Sequence, residues 1–216
     1  MWRQEQVSCR GGRRITQIGR LDVPGLTHNE NSPEAFHYAR RRILAAALGI
    51  SAAAESDKTD QIIEKPNKRK GELKKALYVS REHAAQRKVS NEAELLLKLK
   101  AVLYQAGFEL KVIHQEKLSV MEQVAAWNAV DLAIVERGAG MFNALFLRNG
   151  TALVYASNGG AHDTWTWLLP VPEAGIYKVF PVNALSDCTN FAATCYAHVS
   201  TYADAVVNAT RHILYS

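Results

Sequence analysis

The sequence predicts an α/β domain, a parallel sheet covered by helices, over residues 76–216. Three observations carry that prediction. From residue 76 onward, short apolar runs alternate with longer segments of helical spacing, the pattern of strand and crossover helix. Two of the helical segments are opened by capping residues, Asn91 and Ser119, and the first is closed by Gly107. One apolar run, Leu132 to Val135, leads straight into Arg137-Gly138-Ala139-Gly140 and a further segment in which Met141 and Leu145, like Phe142 and Phe146, stand four apart.

Length and composition are consistent with this class. A chain of 216 residues, 48% of them hydrophobic, can bury a substantial core. The net charge of +5 is unevenly placed: residues 1–75 hold 15 Lys and Arg against 9 Asp and Glu, whereas residues 76–216 hold 11 against 12. The domain itself is therefore near neutral, and no nucleic-acid partner is expected. No apolar run approaches the roughly 20 residues needed to cross a bilayer, and residues 1–15 lack the apolar core of a signal peptide. Either the protein is cytosolic or this is one piece of a longer product.

Taken in order, residues 1–31 show no sustained period and are expected to be poorly ordered. Ser32-Pro33-Glu34 starts a helix over residues 32–50, with Phe36, Ile43 and Ala47 on its apolar stripe and Arg40-Arg41-Arg42 on a solvated face. Residues 51–75 are small, polar and charged, with breakers at Pro66 and Gly71, and read as a linker. A buried strand is expected over 76–80, followed directly by Arg81. Asn91 then caps a helix over 92–106 whose stripe of Leu95, Leu96, Leu99, Val102 and Leu103 is closed by Gly107. A second strand covers 108–113. Ser119 and Glu122 have capping-box spacing ahead of a helix through Val124 and Trp127. The third strand and glycine turn follow, then a fourth strand over 152–156. Beyond Ser157 the pattern weakens; Trp165 and Trp167 among Pro170, Pro172 and Pro181 suggest an irregular flap. A last helix over 201–214 presents Tyr202, Ala205, Val206, Ala209 and Ile213 on one face.

Strand, small-residue turn and helix start, in that order, place unpaired N–H groups at the carboxyl edge of a parallel sheet, where anions settle. The same glycines would also serve a tight turn with close packing, and the sequence leaves both readings open. Arg81 leaves the first strand at that edge, Arg87 follows in the next loop, and Arg137 opens the turn. Their guanidinium forks suit a diphosphate. Glu122 is a candidate general base, although its spacing from Ser119 equally makes it a helix cap. His83, His114 and His162 share no spacing that suggests a metal site, and no metal is expected. Cys188 and Cys195 could form a disulfide, leaving Cys9 alone, and Asn149 and Asn208 open N-glycosylation triplets.

From Phe36 to Ala156 these pieces resemble the C-terminal half of the family 61 glycosyltransferases, the group of the plant β-1,2-xylosyltransferases and the secretory-pathway protein O-GlcNAc transferases. Residues 78–95, YVSREHAAQRKVSNEAEL, resemble its strand, Ser-Arg, later Arg and Asn-Glu. GFEL and LSVMEQVAAWNAVDLAIV resemble its Gly-Phe strand and the helix after it. RGAGMFNALF resembles its His-Gly-Ala-Gly-(Leu/Met)-x-Asn-x-x-Phe signature, with Arg137 in place of the His and Val135-Glu136 in place of Gly-x.

The resemblance implies a Rossmann-like fold, the donor-binding half of a GT-B enzyme. It further implies inverting transfer of a hexose or pentose from a nucleotide sugar, with a UDP-sugar as the leading choice, to a glycan or glycoprotein acceptor in the ER or Golgi lumen. No cofactor beyond that co-substrate is expected, and no required metal. Arg81, Arg87, Arg137, Gly138, Ala139 and Gly140 would hold the donor diphosphate and Asn143 would support the turn. Tyr155, at the place of an acidic residue in the family, would meet the ribose or base. The acceptor-side domain is represented only by the segment around the first helix. Two rival readings stay open: a degenerate, non-catalytic domain kept for protein or glycan interaction, and a different α/β enzyme such as a nucleotide hydrolase.

Overall fold

The computed structural model describes residues 72–157, 177–187 and 194–216. The expected helix over 32–50, the linker up to residue 71, the Trp165 and Trp167 segment and Cys188 lie outside the described residues. Eight strands and three α-helices follow in order: β1 (Lys74–Val79), β2 (Lys88–Val89), α1 (Glu92–Gln105), β3 (Phe108–Ile113), α2 (Val120–Asn128), β4 (Leu132–Glu136), β5 (Thr151–Ser157), β6 (Tyr177–Asn183), β7 (Leu185–Ser186), β8 (Thr194–Ala197) and α3 (Val199–Tyr215).

Five strands form the main sheet in the order β3-β1-β4-β5-β6, every neighbouring pair parallel. Its central strands carry no polar alternation because both faces are covered. On one face Ala76, Tyr78, Leu132, Ile134, Ala152 and Val154 pack with α1, through Leu95, Leu99 and Leu103, and with α3, through Tyr202, Val206 and Ile213. On the other, Leu77, Val79, Ala133, Val135 and Leu153 pack against Val124 and Trp127 of α2 and against Met141 and Ala144. This is the parallel, helix-covered sheet that the alternating pattern predicts and the Rossmann-like α/β fold that the family resemblance implies.

Differences from the expected elements have local causes. The segment after the glycine turn is a 3-10 helix, Ala139–Phe146, not an α-helix. Residues 177–183, expected within an irregular flap, form β6, which pairs with β5 from Thr151↔Tyr177 to Ser157↔Asn183. Among the described residues that strand has a neighbour on one side only, and Pro181 with its missing N–H suits such an edge. Asn91 does occupy the N-cap of α1, but its side chain makes no cap bond. Its amide instead donates to the Ala197 carbonyl and accepts from the Ala197 N–H, both at 2.9 Å, clamping α1 to β8. β8 is the middle strand of a small second sheet in the order β2-β8-β7.

Candidate functional site

In chain order the main-sheet strands read 2-1-3-4-5, so the direction of winding reverses between β1 and β4. Crossovers on either side of that reversal go to opposite faces, which opens a crevice beyond the carboxyl ends of the two strands. The pairing of β1 with β4 stops at Tyr78↔Ile134, and both strands run on past that point. Arg81 follows one strand and the 137–140 turn follows the other, so the switch point brings together what the sequence holds 56 residues apart.

The loop after β1 fixes Arg81. Its Nε donates to the Arg87 carbonyl at 3.1 Å and its Nη2 to the Gln86 carbonyl at 2.8 Å. Arg87 takes φ = 57°, an uncommon backbone for a side-chain-bearing residue. The remaining nitrogen, Nη1, lies against Gly138, where a Cβ would overlap it. Gly138 is therefore needed for space, since its own backbone is extended (φ = 162°). At Gly140, by contrast, a Cβ would stand 3.4 Å from the Gln115 side chain, close to ordinary contact. Past Gly138, the first N–H groups of a 3-10 helix have no carbonyl behind them in the helix; the i→i−3 bonds begin at Met141, whose N–H reaches the Gly138 carbonyl at 3.1 Å.

The three arginines gather at one place. The Arg87 guanidinium is pushed below its ordinary pKa, first by burial and then by the charges of Arg81 and Arg137, while Tyr155 acts in the opposite direction. Like charges thus crowd a partly buried site, and Tyr155, two residues before the end of β5, is near enough to act on Arg87. Arg137 is itself 9% exposed.

Behind this cationic rim lies a buried acid. Glu136, 2% exposed, ends β4, and burial pushes its carboxyl up to about 8; the phenol of Tyr78 and the charge of Arg81 oppose that rise, and Glu92 adds to it. Tyr78 Oη lies 2.6 Å from Glu136 Oε1 and 3.0 Å from Glu92 Oε1. One phenol proton cannot serve two carboxylates, so protonation of Glu136 supplies the second. Glu92 Oε2 accepts from Ser80 Oγ at 3.0 Å, and Glu92 Oε1 from the Arg81 N–H at 3.3 Å. With Glu136 neutral near pH 7, it does not cancel the charge of the arginines.

The other named residues fall elsewhere. Glu122 is exposed and closes a capping box: its carboxylate accepts from the Ser119 N–H at 2.8 Å and from Ser119 Oγ at 2.7 Å. Those bonds hold its pKa below the ordinary value, the reverse of a base tuned towards neutrality. Asn143 donates to Gln123 Oε1 at 2.8 Å and so ties the 3-10 helix to α2. Cys195 is disulfide-bonded, with Cys188 outside the described residues. Asn149 and Asn208 are both exposed.

Spacing alone missed two groups. One is the Glu136-Tyr78-Glu92 chain, whose members look like ordinary strand and helix residues in the sequence. The other is His83 and His114, which have no suggestive spacing yet meet beside Glu82 because β1 and β3 pair in parallel up to Val79↔Ile113.

These features describe a doubly wound α/β domain with arginines grouped at its switch point. Residues 26–154 match the profile of the family described as Glycosyltransferase 61, more than half of the chain. The chain belongs to that family. No curated protein matches it significantly. Among solved structures it is similar to a flavodoxin-like domain from Synechococcus sp, at 10% identity over 66% of this chain and 99% of that one, with a TM-score of 0.43. It is also similar to a pilus assembly-related protein from Burkholderia pseudomallei, at 14% identity over 68% and 96%, with a TM-score of 0.35.

Proposed function

We propose that the crevice binds the diphosphate of a nucleotide sugar, with a UDP-sugar as the leading choice, and that the domain is the donor-binding half of a GT-B glycosyltransferase. The observation that carries this reading is that Arg81 Nη1 packs on Gly138 at the switch point while Arg81 and Arg137 stand close enough to Arg87 for their charges to lower its pKa. Crowded guanidinium groups beside a carboxyl that is neutral near pH 7 gain most from a bound anion. Carbonyl bonds to Nε and Nη2 already orient Arg81, so little rotamer freedom is lost when Nη1 meets a phosphate oxygen.

In that reading an acceptor hydroxyl attacks the anomeric carbon from the face opposite the diphosphate. The bond to the diphosphate breaks and the configuration inverts. Charge growing on the leaving oxygens is met by the arginines and by the first N–H groups of the 3-10 helix. Tyr155, near the end of the next strand, is the candidate contact for ribose or base. The transferred sugar would be a hexose or pentose, the acceptor a glycan or glycoprotein, and the setting the lumen of the ER or Golgi. No side chain described here is placed as the general base; Glu122 serves its helix cap.

Titration calorimetry with a panel of UDP- and GDP-sugars tests the proposal. One nucleotide is expected to bind, and Arg81→Ala to weaken it about 10- to 100-fold, the loss of roughly one charge-assisted contact. Silence across the panel would sink the reading. Binding without transfer to any acceptor would favour the rival of a non-catalytic domain, to which the departures at Arg137 and Tyr155 point.

A further inference from the structure

The geometry points to a divalent transition-metal site, with zinc the best-suited ion, formed by Glu82, His83 and His114 on the same sheet edge as the arginine crevice. It is argued from geometry that does not involve the donor reading. Glu82 and His83 sit in the turn after β1, and His114 directly follows β3. The parallel register of those strands, extended by the Ser80 N–H to the Ile113 carbonyl at 2.9 Å, brings the two segments out at the same height.

Glu82 Oε2 lies 3.9 Å from His83 Nε2 and 3.8 Å from His114 Nε2, and one ligand atom from each residue falls within 4.8 Å of the others. A tetrahedral zinc ion with bonds of about 2.0–2.1 Å holds its ligand atoms about 3.3–3.5 Å apart. Small side-chain rotations would close the difference. They are available, because the side chains of Glu82 and His83 are 62% and 41% exposed. Two imidazoles and one carboxylate suit zinc and its neighbours in the transition series, whereas magnesium and calcium call for more oxygen ligands. Solvent would complete the fourth position.

Lys117 gives the proposal its sharpest consequence. Its ammonium lies 2.6 Å from His83 Nε2. An ammonium can only donate, so it meets that nitrogen in the lone-pair form a metal also requires. The lysine thus stands as the resident cation, and an incoming ion must displace it. The metal would then tie the loop that carries Arg81 and Arg87 to the chain beyond β3.

The test uses the tag-free full chain, stripped with a chelator and titrated with zinc by calorimetry, with cobalt(II) as a spectroscopic stand-in. One ion per chain is expected, with visible bands of a tetrahedral nitrogen and oxygen site. His114→Ala and His83→Ala should each weaken binding at least tenfold, and Lys117→Met should tighten it severalfold. No nucleotide is present, so the result stands apart from the donor reading. Absence of binding, or an affinity unchanged from the unsubstituted protein in either histidine variant, would overturn the site and leave the cluster as polar contacts on an exposed turn.

Discussion

The two ends of β4 hold two buried polar knots of different character. At the amino end, Asp131 is fully buried and its Oδ2 accepts from the Lys75 N–H at 2.8 Å, while its own N–H returns to the Lys75 carbonyl at 2.8 Å. Arg148, 4% exposed, feels its charge and donates to the Val130 carbonyl at 3.4 Å; Thr151 Oγ1 donates to the same carbonyl at 3.3 Å. Opposite charges and backbone groups are brought together there. At the carboxyl end, three cations crowd one another and the nearest buried acid is driven neutral. The first arrangement ties β1, β4 and β5 together through backbone partners. The second sets like charges side by side, the arrangement on which the proposed binding of an anion rests.

The amino end is where the largest loss of stability is expected. Asp131→Ala leaves the buried Arg148 charge without its counterpart and the Lys75 N–H without its acceptor, and should cost about 3–5 kcal/mol in denaturant unfolding. A loss under about 1 kcal/mol would remove the contrast between the ends.

At the carboxyl end, pH is the sharper tool. Glu136 titrates at about 8 in the folded protein against an ordinary 4.5, so between these values the folded state holds a proton that the unfolded chain releases. Its contribution to stability therefore falls as pH rises through that window, by up to about 1.4 kcal/mol per pH unit, and levels off above it. Glu136→Gln removes the titration. Unfolding curves of the two proteins should diverge in the variant's favour from pH 5 to 8, and parallel curves would show that the acid is ionised throughout.

Gly138→Ala addresses the crevice itself. The new methyl group displaces Arg81 Nη1, which lies at the end of a flexible side chain, so nucleotide affinity should drop about tenfold while the unfolding midpoint barely moves. Equal affinity in that calorimetric comparison would mean that the close contact with Arg81 has no part in binding. The smallest effect is expected away from both knots: Ser119→Ala should lose about 1 kcal/mol of stability with its cap and leave nucleotide binding intact. A variant that folds normally yet loses binding would move attention back to Glu122.

Much of the fold is legible along the chain because its signals are local. The run Phe108 to Ile113, the box at Ser119 and Glu122, and the stripe of α3 each fall where periodicity and capping place them. β6 is harder to read because an edge strand can carry Lys178 and Pro181 without penalty, which erases its alternation. The 3-10 form of Ala139–Phe146 is also hidden, since four-residue spacing of apolar side chains does not fix whether carbonyls bond three or four residues on. Asn91 is legible as a cap by position, but its partner Ala197 is 106 residues away.

Local patterns along the chain are enough for the α/β class, the order of the main elements and the presence of arginines and glycines with the chemistry for an anion. Those features depend on neighbours within a few turns of chain. Long-range packing settled that β1 and β4 flank the reversal of winding, that Gly138 makes room for Arg81, and that Tyr78 links two acids. It also decided that Glu82, His83 and His114 meet. Each depends on which strands lie side by side, and that is set by packing both sheet faces at once, a condition that no short stretch of sequence carries.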